Sequence, residues 1–434
     1  MKISRRAAFK SASIAAGGIA AGALLGNFSG ASGIQAQEST PPLPPAFSTL
    51  KPLGDRVKPI CREEFQSRVA RAQELMSEAH PPCDVLYVTP GTSLVYYTGI
   101  RWWPSERLLA LLVPREGPPL LICPAFEESR LLEQLRWAIE IRTWQEDQNP
   151  YALAAKWFAE RGIRTGQVAI EETTRYVFFN GLRRAMPALE YANGIGVTAG
   201  CRAQKSEHEL ELMRLACAAT CDVYRATFAS LREGMKQSDI SAMVARGYER
   251  MGLRGDAFAL FGPAAAMPHG TREDRRLREG DCVLIDDGTT VEGYQSDVTR
   301  TGVYGKPPEK LVRAFEIVRA GQDAVLAAAM AGRTCGSVDD AARKVITDAG
   351  FGPDYKYFPT RVGHGIGMDG HEWPYLVRGN ATLLKPGMTF SNEPGIYVPG
   401  EYGLRCEDDM VITASGGAQL LTPGFQASLE HPVA

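Results

Sequence analysis

The sequence predicts an α+β protein built from two domains, and three observations carry that expectation. At 434 residues the chain is longer than one hydrophobic core ordinarily serves. Up to about residue 200, short apolar strands alternate with amphipathic helical stretches, an α/β pattern. From Lys205 onward, long helices give way to strand segments punctuated by glycine and ended by acids. A hydrophobic content of 44% and a charged content of 23% are ordinary for a globular chain. The net charge of −2 gives no sign of a nucleic-acid or anionic-membrane partner.

Residues 1–37 read as an export signal rather than as fold. Ser4-Arg-Arg-Ala-Ala-Phe-Lys10 carries twin arginines, and the Gly/Ala-rich run from Ile14 to Leu25 is too short and too weakly apolar to span a bilayer. Export by the twin-arginine route, with cleavage near Ala36, implies a periplasmic or secreted protein that no longer touches the membrane once processed. Residues 38–54 read as an exposed Pro-rich linker. Residues 55–200 make the first domain and 201–434 the second. Nine scattered cysteines, with no metal-type spacing, argue against a disulfide framework and for buried thiols.

In the first domain, Phe65, Val69, Ala72 and Met76 recur on one helical face. Asp84–Thr89 is an expected strand, 108–113 and 120–123 a hairpin across Arg-Glu-Gly-Pro-Pro, and 167–171 a further strand. Helices are expected at 127–137 and 151–161. The loop at 99–107 places Trp102 and Trp103 beside Arg101, which suits packing or an oligomer contact better than a substrate rim. The second domain opens with a capping box, Ser206 with Glu209, for a long helix whose apolar face includes Leu210, Met213, Cys217 and Tyr224. His208 falls in its first turn, where a solvated side chain is expected. Further helices are expected at 238–251, 309–331 and 337–349, and Arg272–Arg278 reads as a solvated charged face.

The chemistry gathers around Val283–Thr301. The apolar run Val283–Ile285 reads as a buried strand ending at Asp286. Gly288 and Gly293 bracket a reversal, and a polar strand follows, so that Asp286 and Asp297 lie on neighbouring strands of one hairpin. Two carboxylates forced together repel unless they share a proton or a cation. Three later segments add His364 and His371 in the glycine-rich Gly363–Pro374, Glu393 before a turn, and Glu407 at the start of a strand. Each alone is weak. Together, Asp286, Asp297, His364, Glu393 and Glu407 offer four carboxylates and one imidazole. That set neutralises two divalent cations and suits Mn²⁺, Fe²⁺, Co²⁺ or Zn²⁺ rather than a structural thiolate zinc.

These segments, in this order and with eleven residues from Asp286 to Asp297, resemble the signature of the pita-bread metallopeptidases, which include methionine aminopeptidase, aminopeptidase P and prolidase. The resemblance covers about residues 200–425, and residues 55–200 are similar to the family's creatinase-type α/β N-terminal domain. That domain, Met267-Pro-His269 and His371-Glu-Trp-Pro point to the Xaa-Pro branch. The resemblance implies that Asp297 and Glu407 bridge two metals, Mn²⁺ foremost, with Asp286 on one and His364 and Glu393 on the other. A hydroxide held between the metals would attack the carbonyl before proline, with Glu393 as proton acceptor. His371 would donate to the oxyanion, a contact worth about 3 kcal/mol. His269 would position the scissile bond or pass a proton to the leaving nitrogen, and Arg405 would hold a ligand carboxylate or serve as a structural ion pair.

The implied protein is a metallo-exopeptidase, expected as a homodimer, acting on peptides with proline second. The alternatives are a creatinase-like C–N hydrolase and a catalytically dead binding module, and the complete ligand set speaks against both. Three positions depart from the family pattern: Asn392 before Glu393, Cys406 before Glu407, and Gly370 before His371, the last suggesting a wider pocket. Asp287 is an extra acid expected on the opposite strand face. The seven-residue step between His364 and His371 requires the strand to break between them, with Gly370 the expected place. Dipeptidase and longer-peptide aminopeptidase are not separated by these residues.

Overall fold

A computed structural model describes residues 42–433. The expectations for 1–37 and for 38–41 therefore lie outside the described residues. Apolar strands with few polar interruptions build the first domain's sheet: β1 (Val85–Val88), β2 (Ala110–Pro114), β3 (Leu120–Pro124), β4 (Glu140–Trp144), β5 (Gln167–Ile170) and β6 (Glu190–Asn193). Their order is β4-β3-β2-β1-β5-β6. β1 runs antiparallel to β2 and parallel to β5, and Arg62–Glu78, Pro150–Glu160 and Tyr176–Ala185 are among the helices that cover the sheet. Every residue of β1, β2 and β3 is buried, the mark of a sheet sealed on both faces.

The second domain begins with the helix Glu207–Phe228, whose Ser206–Glu209 capping box forms as the sequence requires. Four small sheets follow. One joins β7 (Arg254–Gly255), β10 (Thr289–Val291) and β11 (Tyr294–Gln295), and a second joins β8 (Phe258–Phe261), β9 (Cys282–Asp286) and β12 (Arg300–Val303). The largest holds β13 (Gly363–Gly365), β14 (Glu372–Leu376), β15 (Thr389–Asn392), β18 (Asp408–Ile412) and β19 (Ala418–Leu420), with β16 (Gly395–Val398) and β17 (Tyr402–Arg405) paired beside it. The helices Glu309–Ala328 and Cys335–Ile346 pack on each other and share a core with these strands. Among the described residues no helix is long and apolar enough to cross a membrane.

Two expectations are corrected here. The exposed linker is not one throughout, because Phe47, Leu50 and Leu53 are buried in the core that also holds Leu210, Cys217 and Tyr248. Proline gave the segment its polyproline look, and its three apolar side chains override it by joining a core. His208 is not simply solvated. Its ring bonds the Glu64 carboxylate at 2.9 Å and the Lys58 carbonyl at 3.0 Å, tying the second domain's first helix to the first domain's. None of the nine cysteines is paired, and all but Cys61 are buried.

Candidate metal centre

The buried run Cys282–Ile285 carries β9 into the core and delivers Asp286 at its end. Asp287 then takes φ 120°, a left-handed value that a non-glycine residue adopts only where its surroundings enforce it. The chain leaves for β10 and β11 and returns as β12, antiparallel to β9 with Arg300 opposite Ile285. The expected single hairpin is thus split between two sheets, and Asp297 lies in the irregular link between β11 and β12. Its position is set by its own N–H, which donates to Asp409 Oδ2 at 3.0 Å.

Asp286, Asp297 and Glu407 each offer an oxygen within 4.8 Å of the others, and so do the donor atoms of His364, Glu393 and Glu407. Glu407 belongs to both groups. His364 Nε2 lies 3.6 Å from Asp297 and 3.3 Å from Glu393. Its Nδ1 lies 3.1 Å from the Gly365 carbonyl, which can only accept, so Nδ1 carries the proton and Nε2 presents a lone pair to the carboxylates. That is the tautomer a metal ligand needs.

The electrostatics point the same way. Burial pushes Asp297 and Glu407 well above the usual carboxylate range, and neighbouring carboxylates push them further. Glu393 is pushed up to about 7, chiefly by burial. Burial pushes Asp286 up too, but the Arg405 guanidinium together with hydrogen bonds to Thr299 and Glu407 holds this carboxyl below its ordinary value. Burial drives His364 down to about 3, so the ring is neutral at physiological pH. The Thr299 hydroxyl lies 2.6 Å from both Asp286 and Glu407 and can donate to only one of them. A cluster of acids compensated by one arginine and one hydroxyl fits divalent cations, which would relieve the repulsion directly.

Arg405 is anchored by Thr299 at 3.0 Å, by the Tyr397 hydroxyl at 2.5 Å and by its ion pair with Asp286. His371 stacks on His364 with ring centroids 3.8 Å apart. It also lies within reach of Asp297, but its Nδ1 accepts from Arg361 at 2.8 Å, leaving Nε2 as an N–H donor rather than a ligand. His269, His371, Arg405 and the five candidate ligands line one cavity of about 410 Å³, together with Tyr355 and Arg361.

Comparison with known proteins supplies the family. Residues 68–204 match the creatinase/prolidase N-terminal domain and residues 211–414 match metallopeptidase family M24. The Xaa-Pro dipeptidase of Lactobacillus delbrueckii subsp. lactis is 34% identical over 343 residues, which cover 77% of this chain and 91% of that protein. The chain belongs to metallopeptidase family M24. The crystal structure of dipeptidase PepE from Mycobacterium ulcerans superimposes with a TM-score of 0.77 at 33% identity, covering 85% of this chain and 98% of that one. A dipeptidase from Pyrococcus horikoshii OT3 gives 0.74 at 32%, covering 82% and 98%. This M24 member is accordingly a peptidase with a creatinase-type N-terminal domain and a pita-bread catalytic domain, and its family implies divalent metals.

Within the M24 site, several sequence expectations need revision. The strand does not break at Gly370. The chain reverses after β13, and β14 returns antiparallel to it with a register shift beside His364, which is how the two histidine rings meet. Gly370 is not among the residues that line the cavity, and a Cβ there would face Gln295 Oε1 at 3.3 Å. Asn392 is buried and donates to the Gln322 carbonyl, fastening β15 to the helix Glu309–Ala328. The M24 ligand motif did not point to Thr299, Asp409 or Arg361. Asp409 has no hydrogen-bond partner for Oδ1, and burial pushes it up to about 7. Two adjacent acids after Glu407 were the available signal, and Asp408 proves to be Arg300's ion-pair partner at 2.6 Å.

Proposed function

We propose that this M24 enzyme is a dinuclear exopeptidase that hydrolyses the bond between an N-terminal residue and proline. The observation that carries the reading is the convergence of five ligand-type side chains with His269 and His371 on one cavity. The Xaa-Pro dipeptidase name of a relative 34% identical supports the substrate class. Asp297 and Glu407 would be shared by two cations, with Asp286 completing one site and His364 and Glu393 the other. When bound, the metals supply a water nucleophile at neutral pH, and Mn²⁺ suits the oxygen-rich set best.

The chain's own groups do the rest. Glu393, on the wall of the same cavity, would take the proton released by the attacking water. His371, held as an Nε2–H donor by Arg361, faces the developing oxyanion. His269 lines the same cavity, where it would meet the scissile region or the leaving nitrogen. Arg405 pairs with Asp286 and donates to the Thr299 hydroxyl that stands between the Asp286 and Glu407 carboxylates. The experiment is a side-by-side assay of an Xaa-Pro dipeptide and a longer Xaa-Pro peptide with Mn²⁺. Hydrolysis confined to proline at the second position supports the reading, and cleavage indifferent to that proline overturns it.

We further propose twin-arginine export, which rests on Arg5 and Arg6 alone. Replacing both by lysine should leave the precursor in the cytoplasm, and unchanged export would point to the general secretory route. A homodimer is also proposed, supported by Trp103, which is 82% exposed on the first domain.

A further inference from the structure

The segment that carries His371 is held from outside the catalytic domain. Between β13 and β14 the chain makes a run of bends, and its backbone is bonded largely by side chains. The N–H groups of Met368 and Asp369 donate to Glu372 Oε1 at 3.1 and 3.2 Å, and Gln295 Nε2 donates to the Met368 carbonyl at 2.9 Å. Glu372 directly follows His371 and is buried. Its Oε2 accepts from Lys205 Nζ at 3.0 Å, and Arg202 Nε lies 3.5 Å from Oε1. Arg202 belongs to the helix Ile195–Ala203 that ends the first domain, and Lys205 to the link that follows it.

The same arginine reaches Asp369 at 3.3 Å, whose other oxygen accepts from the Thr92 hydroxyl at 2.5 Å. Thr92 opens the first-domain helix Thr92–Thr98. Gly367 is what lets this crossing form. A Cβ there would stand 2.7 Å from both Glu372 Oε2 and Lys205 Cε. Two cations and a hydroxyl from the first domain and the domain link thus grip the two carboxylates that bracket Gly370 and His371.

We propose that Arg202, Lys205 and Thr92, acting through Glu372 and Asp369, are positioning residues that hold the His371 ring in its working orientation over His364. The first domain then contributes to turnover without touching substrate. The inference rests on the reading of His371 as a donor to the reacting carbonyl. The ring itself is further restrained by its stack on His364 and the Arg361 bond, and the pairing of β13 with β14 holds the backbone only from Glu372 onward. Because the clamp is electrostatic and Arg202 stands between both acids, loss of one member should let the ring move while the metal ligands stay in place.

The test is a double-mutant cycle read in two ways. Arg202→Gln should lower kcat tenfold or more with KM within twofold, and leave metal content at the wild-type value. In a His371→Ala background the same change should cost less than twofold, because the clamp has nothing left to position. Should Arg202→Gln fail to fold, Thr92→Val removes one hydrogen bond without unpairing a charge and should show a smaller effect with the same non-additivity. Independently of activity, the His371 ring resonance, identified by its absence in His371→Ala, should shift or broaden in either clamp variant, and the resonance of the stacked His364 ring should respond with it. Losses that add in the cycle, or a His371 resonance that does not move, overturn the proposal. Movement of that resonance in a protein that does not cleave Xaa-Pro peptides would instead uphold the positioning and overturn the substrate reading.

Discussion

The first domain's central strands and the strands around the second domain's cavity bury different kinds of residue. The first domain's central strands bury valine, leucine, isoleucine and tyrosine, with every position of β1, β2 and β3 enclosed. The second domain buries Asp286, Glu407, Asp408, Asp409, His364, Arg300 and Arg405 within its own sheets. Apolar burial needs no partner, so the first sheet is stable by its composition. Buried acids cost folding free energy unless something compensates them, so the second domain's architecture only makes sense with charge-balancing ligands. Some of that compensation is internal, as where Arg300 meets Asp408. Around Asp297 and Glu407 it is incomplete, because Arg405 lies 3.7 Å from Glu407 yet both carboxyls stay raised, and that deficit marks the candidate site.

The contrast can be broken most sharply at Asp297. Asp297→Ala removes a carboxylate common to both proposed metal sites and should abolish metal occupancy and activity together, while the first domain stays folded. Retention of two metals per chain, measured by elemental analysis, would contradict the ligand assignment. Next in size is His371→Ala. Turnover should fall roughly a hundredfold with little change in KM, and metal content should remain intact because Nε2 of this ring is a donor. Steady-state kinetics with parallel metal analysis checks both halves.

On the apolar side, Leu86→Ala in β1 empties a fully buried position. It should cost about 2–5 kcal/mol of stability by denaturant titration, without altering metal stoichiometry. An equal loss of metal would show that the two domains are not separable in this way. The smallest effect expected is a pH dependence of the metal-free protein. Glu393 titrates at about 7 when folded, above its ordinary 4.5, so the folded chain keeps a proton that the unfolded chain releases. The stability this contributes is fully present below about pH 4.5 and is lost as pH rises through 7. Asp297 and Glu407, raised in the same direction, steepen that fall. The melting temperature should therefore drop across this window in the metal-free protein, and added Mn²⁺ should flatten the drop.

The candidate ligands, which the structure brings to one cavity, were legible because each sits in a short segment whose glycines and strand ends can be read locally. Asp286 closes an apolar run, His364 is flanked by glycines, and Glu393 precedes a turn. What was not legible depends on partners far away in sequence. The Thr299 hydroxyl matters because Glu407 stands beside it, 108 positions later. His208 looks solvated until Glu64 is brought to it, and Phe47 looks like linker until it meets Leu210 and Tyr248. The hairpin carrying Asp286 and Asp297 was read too simply because β10 and β11 leave for another sheet, a choice set by pairing with Arg254 rather than by local propensity.

The measurement that bears most directly on the account is a calorimetric titration of the metal-stripped protein with Mn²⁺ at pH 7, run in buffers of different ionisation enthalpy. The account predicts two ions bound per chain with net proton release, because Glu393 and the carboxylates held above their usual range must give up protons to bind metal. Binding of a single ion, or heats that do not depend on the buffer, would contradict it.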